Sequence, residues 1–196
     1  MYPIIDYFLD IHKKHLYLQI QKLPPGKLLE VGVGTGKHLH KLQKHKVTAI
    51  DINDAMIKLA QKQNLPHVEF IIMDGAKTTF ADESFDYVLL SHILAVVKNP
   101  NELINEAQRV LKPDGKMLIL NHFTPKNPLA IADYLFQPFA KWFNFQSYFI
   151  LQKIDTIPQH CIQYQQKIGT KNELNIDFLV IENSLDFNQT VAKYKD

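Results

Sequence analysis

The stretch KLLEVGVGTG, residues 27–36, joins an apolar run to three glycines that alternate with other residues. The apolar half predicts a buried strand, and the glycines predict a tight turn where the backbone can approach a ligand closely. Two common phosphate-binding motifs do not fit this turn. A dinucleotide site has the pattern G-x-G-x-x-G, whereas here Lys37 stands where the third glycine is expected. A P-loop needs glycine at 31 and Ser or Thr at 38, and this chain has Val31 and His38.

Apolar runs and helical segments alternate outward from this turn. Strands that are apolar at successive positions are typical of a parallel sheet with helices on both faces. The predicted strands are 27–34, 47–52, 67–74, 85–91 and 116–123, and the predicted helices are 36–45, 54–63 with Asp54 as N-cap, and 101–111, followed by a turn at 112–115. Two late strands, 175–183 and 189–195, are predicted as a hairpin. We find no internal repeat or linker in the sequence, so we expect one α/β domain over residues 1–196.

Composition excludes several classes of protein. Hydrophobic residues make up 46% and charged residues 21% of the 196 residues, which indicates an ordered globular chain. Cys161 is the single cysteine, so neither an internal disulfide nor a cysteine zinc cluster is expected. The formal charge of +2 does not indicate a nucleic-acid partner. We see no secretory signal and no apolar run of about 18 residues, so we expect a cytoplasmic protein without a membrane span.

Positive charge is concentrated near the N-terminus. Residues 1–50 contain eight lysines and five histidines against three acidic residues. Residues 4–22 place apolar side chains close to helical spacing, and Pro24-Pro25-Gly26 ends that pattern. The basic residues fit either a solvated surface or attraction to an anionic phospholipid membrane. The helix itself can equally pack across the entrance of a binding site.

Aromatic residues are concentrated later in the chain. Residues 134–149 contain eight aromatic side chains in sixteen positions, against an average of 11%. This density fits a lid over an apolar ligand, with Trp and Tyr at a membrane interface. It also fits a segment that simply buries its aromatic rings against the sheet.

Two acidic residues follow predicted strands. Asp51 ends the second strand, 19 residues after Gly32, and a carboxylate there can accept hydrogen bonds from both hydroxyl groups of a ribose. Asp74 ends the third strand, where it can accept from an adenine amino group or serve as a turn residue. Since the carboxyl ends of parallel strands share one edge, the two acids together favour a nucleoside ligand.

Over residues 27–123 the chain resembles the class I S-adenosylmethionine-dependent methyltransferases. The motifs that carry the resemblance are the glycine turn after Glu30, Asp51, Asp74, Phe85-Asp86-Tyr87-Val88 and the turn Leu111–Lys116. The resemblance implies a Rossmann-like α/β fold: a seven-stranded, mostly parallel sheet with helices on both faces and an antiparallel last strand. It implies the cofactor S-adenosylmethionine, with S-adenosylhomocysteine as product. The cofactor-binding residues that it implies are Glu30 near the methionine amino group, Gly32, Gly34 and Gly36 under the methionine, Asp51 on the ribose, Ile52, Asp74, Gly75 and Ala76 at the adenine, and Ser91 on the methyl side.

A finer resemblance concerns the methyl acceptor. The stretch LSHILAVVKNPNELINEAQRVLKPDG and the later Asn121-His122-Phe123 resemble the bacterial phospholipid N-methyltransferases of the soluble, peripheral-membrane type. That family methylates phosphatidylethanolamine stepwise toward phosphatidylcholine. The segment 145–149 is similar to the family's aromatic-x-Ser-x-Phe pattern, but Gln146 and Asn144 stand where Arg and Gly are expected. The ubiquinone/menaquinone C-methyltransferases share the core pattern, and a non-catalytic S-adenosylmethionine-binding regulator would keep the same cofactor residues.

Several other side chains are candidates for proton transfer and for binding. His92 and His122 follow the fourth and fifth strands, where either imidazole can accept a proton from an amine acceptor near neutral pH, or can act structurally. Tyr2 and Tyr7 are candidates for contact with acceptor or cofactor, and Lys13 with Lys14 for contact with phosphate. We find no residue spacing typical of a metal site.

The expected partners are a lipid or small-molecule acceptor and an anionic membrane surface, such as the inner membrane face, while the oligomeric state stays open. Within the single methyltransferase domain, the expected parts are an entrance helix (1–23), a cofactor-binding core (27–123), an aromatic acceptor or lid insertion (124–170) and C-terminal strands (171–196).

Overall fold

A computed structural model describes residues 16–94, 96–122, 162–168 and 176–182, and these residues are organised around one sheet. Its strands are β1 (Lys27–Val31), β2 (Lys46–Asp51), β3 (Val68–Ile72), β4 (Phe85–Ser91), β5 (Leu111–His122), β6 (Ile162–Ile168) and β7 (Ile176–Glu182). They lie in the order β3-β2-β1-β4-β5-β7-β6. Strands β1 to β5 are mutually parallel, and β7 runs antiparallel to β5 and β6. The predicted α/β class with a parallel sheet is confirmed.

Helical segments cover both faces of the sheet. They are α1 (residues 16–22), the 3-10 helix η1 (Leu39–Leu42), α2 (Asp54–Gln61) and α3 (Pro100–Val110). One buried cluster packs α3 against alternate strand residues such as Leu29 and Val88, and the other packs α1, η1 and α2 against their neighbours Leu28 and Leu89. Because both faces are covered, successive strand residues are apolar, which is the pattern seen in the sequence.

Two helix predictions need correction. The predicted helix 36–45 is a single 3-10 turn, η1, set between turn residues. The N-cap of α2 is Asn53 rather than Asp54, because the Asn53 backbone is extended and its side chain accepts a hydrogen bond from the Ala55 N–H. Asp54 is instead the first helical residue, where its negative charge is favourable to the helix dipole and forms an ion pair with Lys58.

The later strands differ from the prediction in detail. Strand β5 begins at Leu111, and its register against β4 jumps from Leu111 to Lys116, so the predicted turn 112–115 is an irregularity within the strand. The predicted strand 175–183 corresponds to β7, which pairs with β5 and with the unpredicted β6. Strand β6 has the mixed sequence IQYQQKI and lacks an apolar run that would reveal it. The predicted strand 189–195 lies outside the described residues.

Candidate functional site

The glycine turn follows β1 directly, and its three glycines have positive φ: 75° at Gly32, 58° at Gly34 and 65° at Gly36. The turn is held to β2 because the Gly32 and Val33 N–H groups both donate to the Ile50 carbonyl oxygen. A Cβ atom at Gly36 would lie 2.8 Å from the Ala60 Cβ, whereas at Gly34 it would meet no atom of the described residues within 4 Å. Among the described residues, the backbone at Gly34 therefore borders open space, as a ligand cradle requires.

Asp51 connects the end of β2 to this turn. Its Oδ2 accepts a hydrogen bond from the Gly34 N–H at 3.0 Å, and its Oδ1 accepts from the Asn53 N–H at 2.9 Å. Its neighbour Ile52 is 71% exposed, which is unusual for an isoleucine. The structure thus places the predicted ribose acid and an exposed apolar side chain beside the glycine turn.

Asp74 lies just beyond β3 in a turn. Its Oδ1 accepts a hydrogen bond from the Ala76 N–H at 2.9 Å, and its carbonyl oxygen accepts from the Lys77 N–H. Gly75 packs so closely on β1 that an added Cβ would lie 2.2 Å from Val31 Cγ1. The turn role that the sequence left open for Asp74 is therefore real, and the close approach holds this turn near the carboxyl end of β1.

Glu30 is the buried acid of the site. Its side chain is 1% exposed, and its Oε1 lies 2.6 Å from Nε2 of His38, which is also buried. Its Oε2 is buried and has no hydrogen-bond partner among the described residues. The His38 ring stacks on the ring of Tyr17 from α1, with centroids 5.5 Å apart and planes inclined by 15°.

His38 was missed as a site residue by the sequence analysis, which grouped it with the basic residues of 1–50. The structure places His38 and His45 in the interior, whereas Lys37, His40 and Lys41 are exposed. The interpretation as a solvated basic surface is therefore wrong for these two histidines. Burial of an imidazole in a turn eight residues after an acid leaves no periodic signal in the sequence.

The end of β4 lies against the end of β5. Ser91 pairs in register with Leu120, and its Oγ is buried without a hydrogen-bond partner among the described residues. His92 has a φ of 56° and donates its backbone N–H to the Leu120 carbonyl oxygen at 2.7 Å. The backbone of His122 closes β5 at the same edge. Tyr7, like Tyr2, Lys13, Lys14 and the aromatic segment 134–149, lies outside the described residues.

These elements meet at one edge because the carboxyl ends of β1 to β4 point the same way, and β1 and β4 are adjacent where the strand order reverses. Such an edge is the usual ligand site of an open α/β sheet. It offers carboxylates and turn N–H groups that can bind hydroxyl and ammonium groups. Within the described ranges, no group of three or more His, Cys, Asp or Glu residues is arranged to hold a metal ion. In the same ranges, none of the helices has the length and apolar character needed to span a membrane.

Comparison with known proteins gives matches over this region. A family model described as a methyltransferase domain matches residues 29–119. The phosphatidylethanolamine N-methyltransferase of Cereibacter sphaeroides is 33% identical over 142 residues, which are 68% of this chain and 70% of that protein. An uncharacterised protein of Methanocaldococcus jannaschii is 38% identical over 109 residues, and a ubiquinone/menaquinone biosynthesis C-methyltransferase of Hahella chejuensis is 32% identical over 117 residues. The chain spans about half the length of these last two relatives, 51% and 47%.

Solved structures share the fold. A SAM-dependent methyltransferase of Methanosarcina mazei superposes with a TM-score of 0.65 at 24% identity, over 94% of this chain and 98% of that one. A Haloferax volcanii protein solved with a methyltransferase activator gives a TM-score of 0.72 at 13% identity, over 91% and 93% of the two chains. At these identities the two likenesses show the fold alone.

Proposed function

This chain belongs to the S-adenosylmethionine-dependent methyltransferases, and we propose that it methylates the amine of phosphatidylethanolamine and its methylated derivatives at a membrane surface. The observation that carries the choice of acceptor is the match to the phosphatidylethanolamine N-methyltransferase of Cereibacter sphaeroides, which extends over 70% of that protein. The Asn121-His122-Phe123 sequence at the end of β5 supports the same acceptor. In this proposal the protein is cytoplasmic and binds the inner membrane face peripherally.

Two features of the site fit S-adenosylmethionine. The buried Oε2 of Glu30 has no hydrogen-bond partner among the described residues, and the ammonium group of the cofactor's methionine would supply one. The open space beside Gly34 would admit the methionine chain against the backbone. In the proposal, Asp51 holds the ribose, and the adenine lies by Ile52 and the Asp74–Ala76 turn.

The chemistry requires alignment more than activation. When bound, S-adenosylmethionine supplies a methyl group on a sulfonium, whose leaving group is already good, so the protein mainly orients the acceptor and excludes water. The attacking nitrogen has to be neutral. In the proposal His92 accepts its proton, with His122 as the second candidate and Ser91 on the methyl side. Both candidates follow the register pair Ser91–Leu120 closely along their strands, at the edge where β4 and β5 are adjacent, and this placement supports the proposal.

A quinone is the second candidate acceptor. Several ubiquinone/menaquinone biosynthesis C-methyltransferases are 28% to 33% identical to this chain over 117 to 138 residues. The identity is comparable, but the matches cover only 47% to 52% of those proteins. A cofactor-binding regulator without transferase activity is the third candidate, and it would bind S-adenosylmethionine without methylating any lipid.

The test is transfer of radiolabelled methyl groups from S-adenosylmethionine to vesicles. Vesicles of phosphatidylethanolamine mixed with an anionic phospholipid are compared with the same vesicles carrying a demethylated quinone precursor and lacking phosphatidylethanolamine. Label in mono- and dimethylated phosphatidylethanolamine is the expected result. Label in the quinone alone would replace the proposal by the second candidate, and cofactor binding with no label in either would favour the third.

The membrane part of the proposal has its own test. Lys13→Glu/Lys14→Glu should lose co-sedimentation with anionic vesicles, and wild-type binding should weaken as salt rises, because surface charge is screened. The matched control is Lys62→Glu/Lys77→Glu, which makes the same charge change at two exposed residues of the cofactor-binding region 27–123. Equal loss in both double variants would show a net-charge effect and contradict a specific role of the N-terminal lysines.

A further inference from the structure

The Glu30 carboxylate is unusual because it is buried and has one engaged and one unengaged oxygen. Oε1 is 2.6 Å from His38 Nε2, and Oε2 has no hydrogen-bond partner among the described residues. A carboxylate with two free oxygens could rotate and accept from either side. With one oxygen held, the direction in which the other faces is fixed.

The contact between Oε1 of Glu30 and Nε2 of His38 defines what His38 contributes. An ionised Glu30 carboxylate can only accept hydrogen bonds, and Nε2 of His38 is then the donor in this contact. The contact joins two buried side chains, 1% and 6% exposed, and is therefore little weakened by water. Replacing His38 by a residue without a donor would leave the buried Oε1 without this hydrogen bond, which costs free energy.

The imidazole is itself held in place from a different element. The Tyr17 ring of α1 stacks on it, and the ammonium of Lys41 lies 5.0 Å from the centroid of the Tyr17 ring. Three segments therefore form one contact chain: Tyr17 of α1 stacks on His38 in the turn before η1, and His38 contacts Glu30 of β1. The orientation of Glu30 depends on this packing and not on the glycine turn alone.

We infer that His38 is a positioning residue for cofactor recognition: it holds Oε1 of Glu30 so that Oε2 faces the ammonium group of the cofactor's methionine. The inference rests on the proposed contact between Glu30 and that ammonium. Its consequence is selectivity between ligands that have the amino-acid end and ligands that lack it. His38 contributes to binding of the former and is neutral toward the latter.

Two ligands separate this role from a structural one. S-adenosylhomocysteine has the amino-acid end, whereas 5′-deoxy-5′-methylthioadenosine has the same nucleoside and thioether without it. His38→Phe keeps a ring for Tyr17 to stack on but removes the donor. It should weaken S-adenosylhomocysteine binding about tenfold or more, since one charge-assisted interaction is lost, and change methylthioadenosine binding less than about threefold.

Two further variants complete the calorimetric series. His38→Gln places an amide donor close to the position of Nε2 and should restore S-adenosylhomocysteine binding to within about threefold of wild type. Glu30→Gln should show the same ligand selectivity as His38→Phe. The double variant Glu30→Gln/His38→Phe should bind no more weakly than Glu30→Gln alone, because the two residues act as one unit.

The outcomes separate the positioning role of His38 from the proposed contact between Glu30 and the ammonium group. Suppose that Glu30→Gln discriminates between the ligands. If His38→Phe then weakens the binding of both ligands equally, or of neither, the role of His38 is overturned. If Glu30→Gln does not discriminate, the proposed contact with the ammonium is wrong, and the inference falls with it. Thermal unfolding of each variant, recorded without ligand, confirms that a folded protein is being titrated.

Discussion

Gly34→Ala is the variant that most directly tests the ligand cradle. At a φ of 58°, alanine costs about 1–2 kcal/mol relative to glycine, because its Cβ crowds the following carbonyl group. No atom of the described residues lies within 4 Å of the new Cβ, so no packing cost is added. In a chain of this size, the melting temperature without ligand should fall by roughly 2–8 °C, at 2–4 °C for each kcal/mol.

The effect on binding should be larger than the effect on stability suggests. The new methyl group would occupy the space into which the proposed methionine chain fits, so the affinity for S-adenosylhomocysteine should fall more than about tenfold, or 1.4 kcal/mol. Gly36→Ala is the matched comparison, with a similar φ of 65° but a Cβ 2.8 Å from the Ala60 Cβ. Its backbone and overpacking costs together predict a stability loss of about 2–5 kcal/mol.

Differential scanning calorimetry without ligand and titration calorimetry with S-adenosylhomocysteine measure the two effects separately. Gly36→Ala should be the less stable variant, and Gly34→Ala should lose more affinity for each kcal/mol of stability lost. A Gly34→Ala protein that binds S-adenosylhomocysteine within about twofold of wild type would refute the cradle, since a twofold change is only about 0.4 kcal/mol. A Gly34→Ala protein that is as unstable as Gly36→Ala would refute the open space.

Two further predictions concern an acid and a histidine. Asp51→Asn should weaken S-adenosylhomocysteine and methylthioadenosine about tenfold alike in titration calorimetry, since both contain the ribose; unchanged affinity would contradict the ribose assignment. Burial lowers the pKa of His45 below its ordinary value, and the hydrogen bond to the Ile20 carbonyl offsets only part of this effect. The unfolded state therefore binds more protons, so the stability that depends on neutral His45 is full above about pH 6.5 and falls as pH decreases below it. Urea unfolding between pH 7.5 and 5.5 should show a smaller loss in His45→Gln than in wild type, with exposed His40→Gln as control; equal slopes would contradict the buried neutral state.

The sequence predicts the parallel half of the fold well because burial on both faces makes its strands apolar at successive positions. The predicted strand 85–91 has the bounds of β4, Asp51 is the last residue of β2, and Asp74 lies in the turn just beyond β3. Strand β6 is missed because its glutamines and lysine give no apolar run. In place of the predicted helix after the glycine turn, the structure has the single turn η1, which buries Leu39 and Leu42.

The candidate site is likewise predicted only in part from the sequence. Glycines and acids at strand ends are visible in the sequence because their spacing follows from the sheet. The pairing of Glu30 with His38 is not visible, because it depends on the path of the turn between them and on Tyr17 from a separate element. Contacts that require three segments to converge have no signature in any one of them.

The left-handed backbone at His92 has a consequence for attempts to stabilise this protein. A residue other than glycine costs about 1 kcal/mol or more in that conformation, so the backbone conformation by itself favours glycine there. If His92 is the proton acceptor, the backbone conformation and the activity favour different residues at this position. In libraries screened only for heat resistance, glycine at residue 92 would then be enriched. The selected variants would lack the proton acceptor and would lose activity.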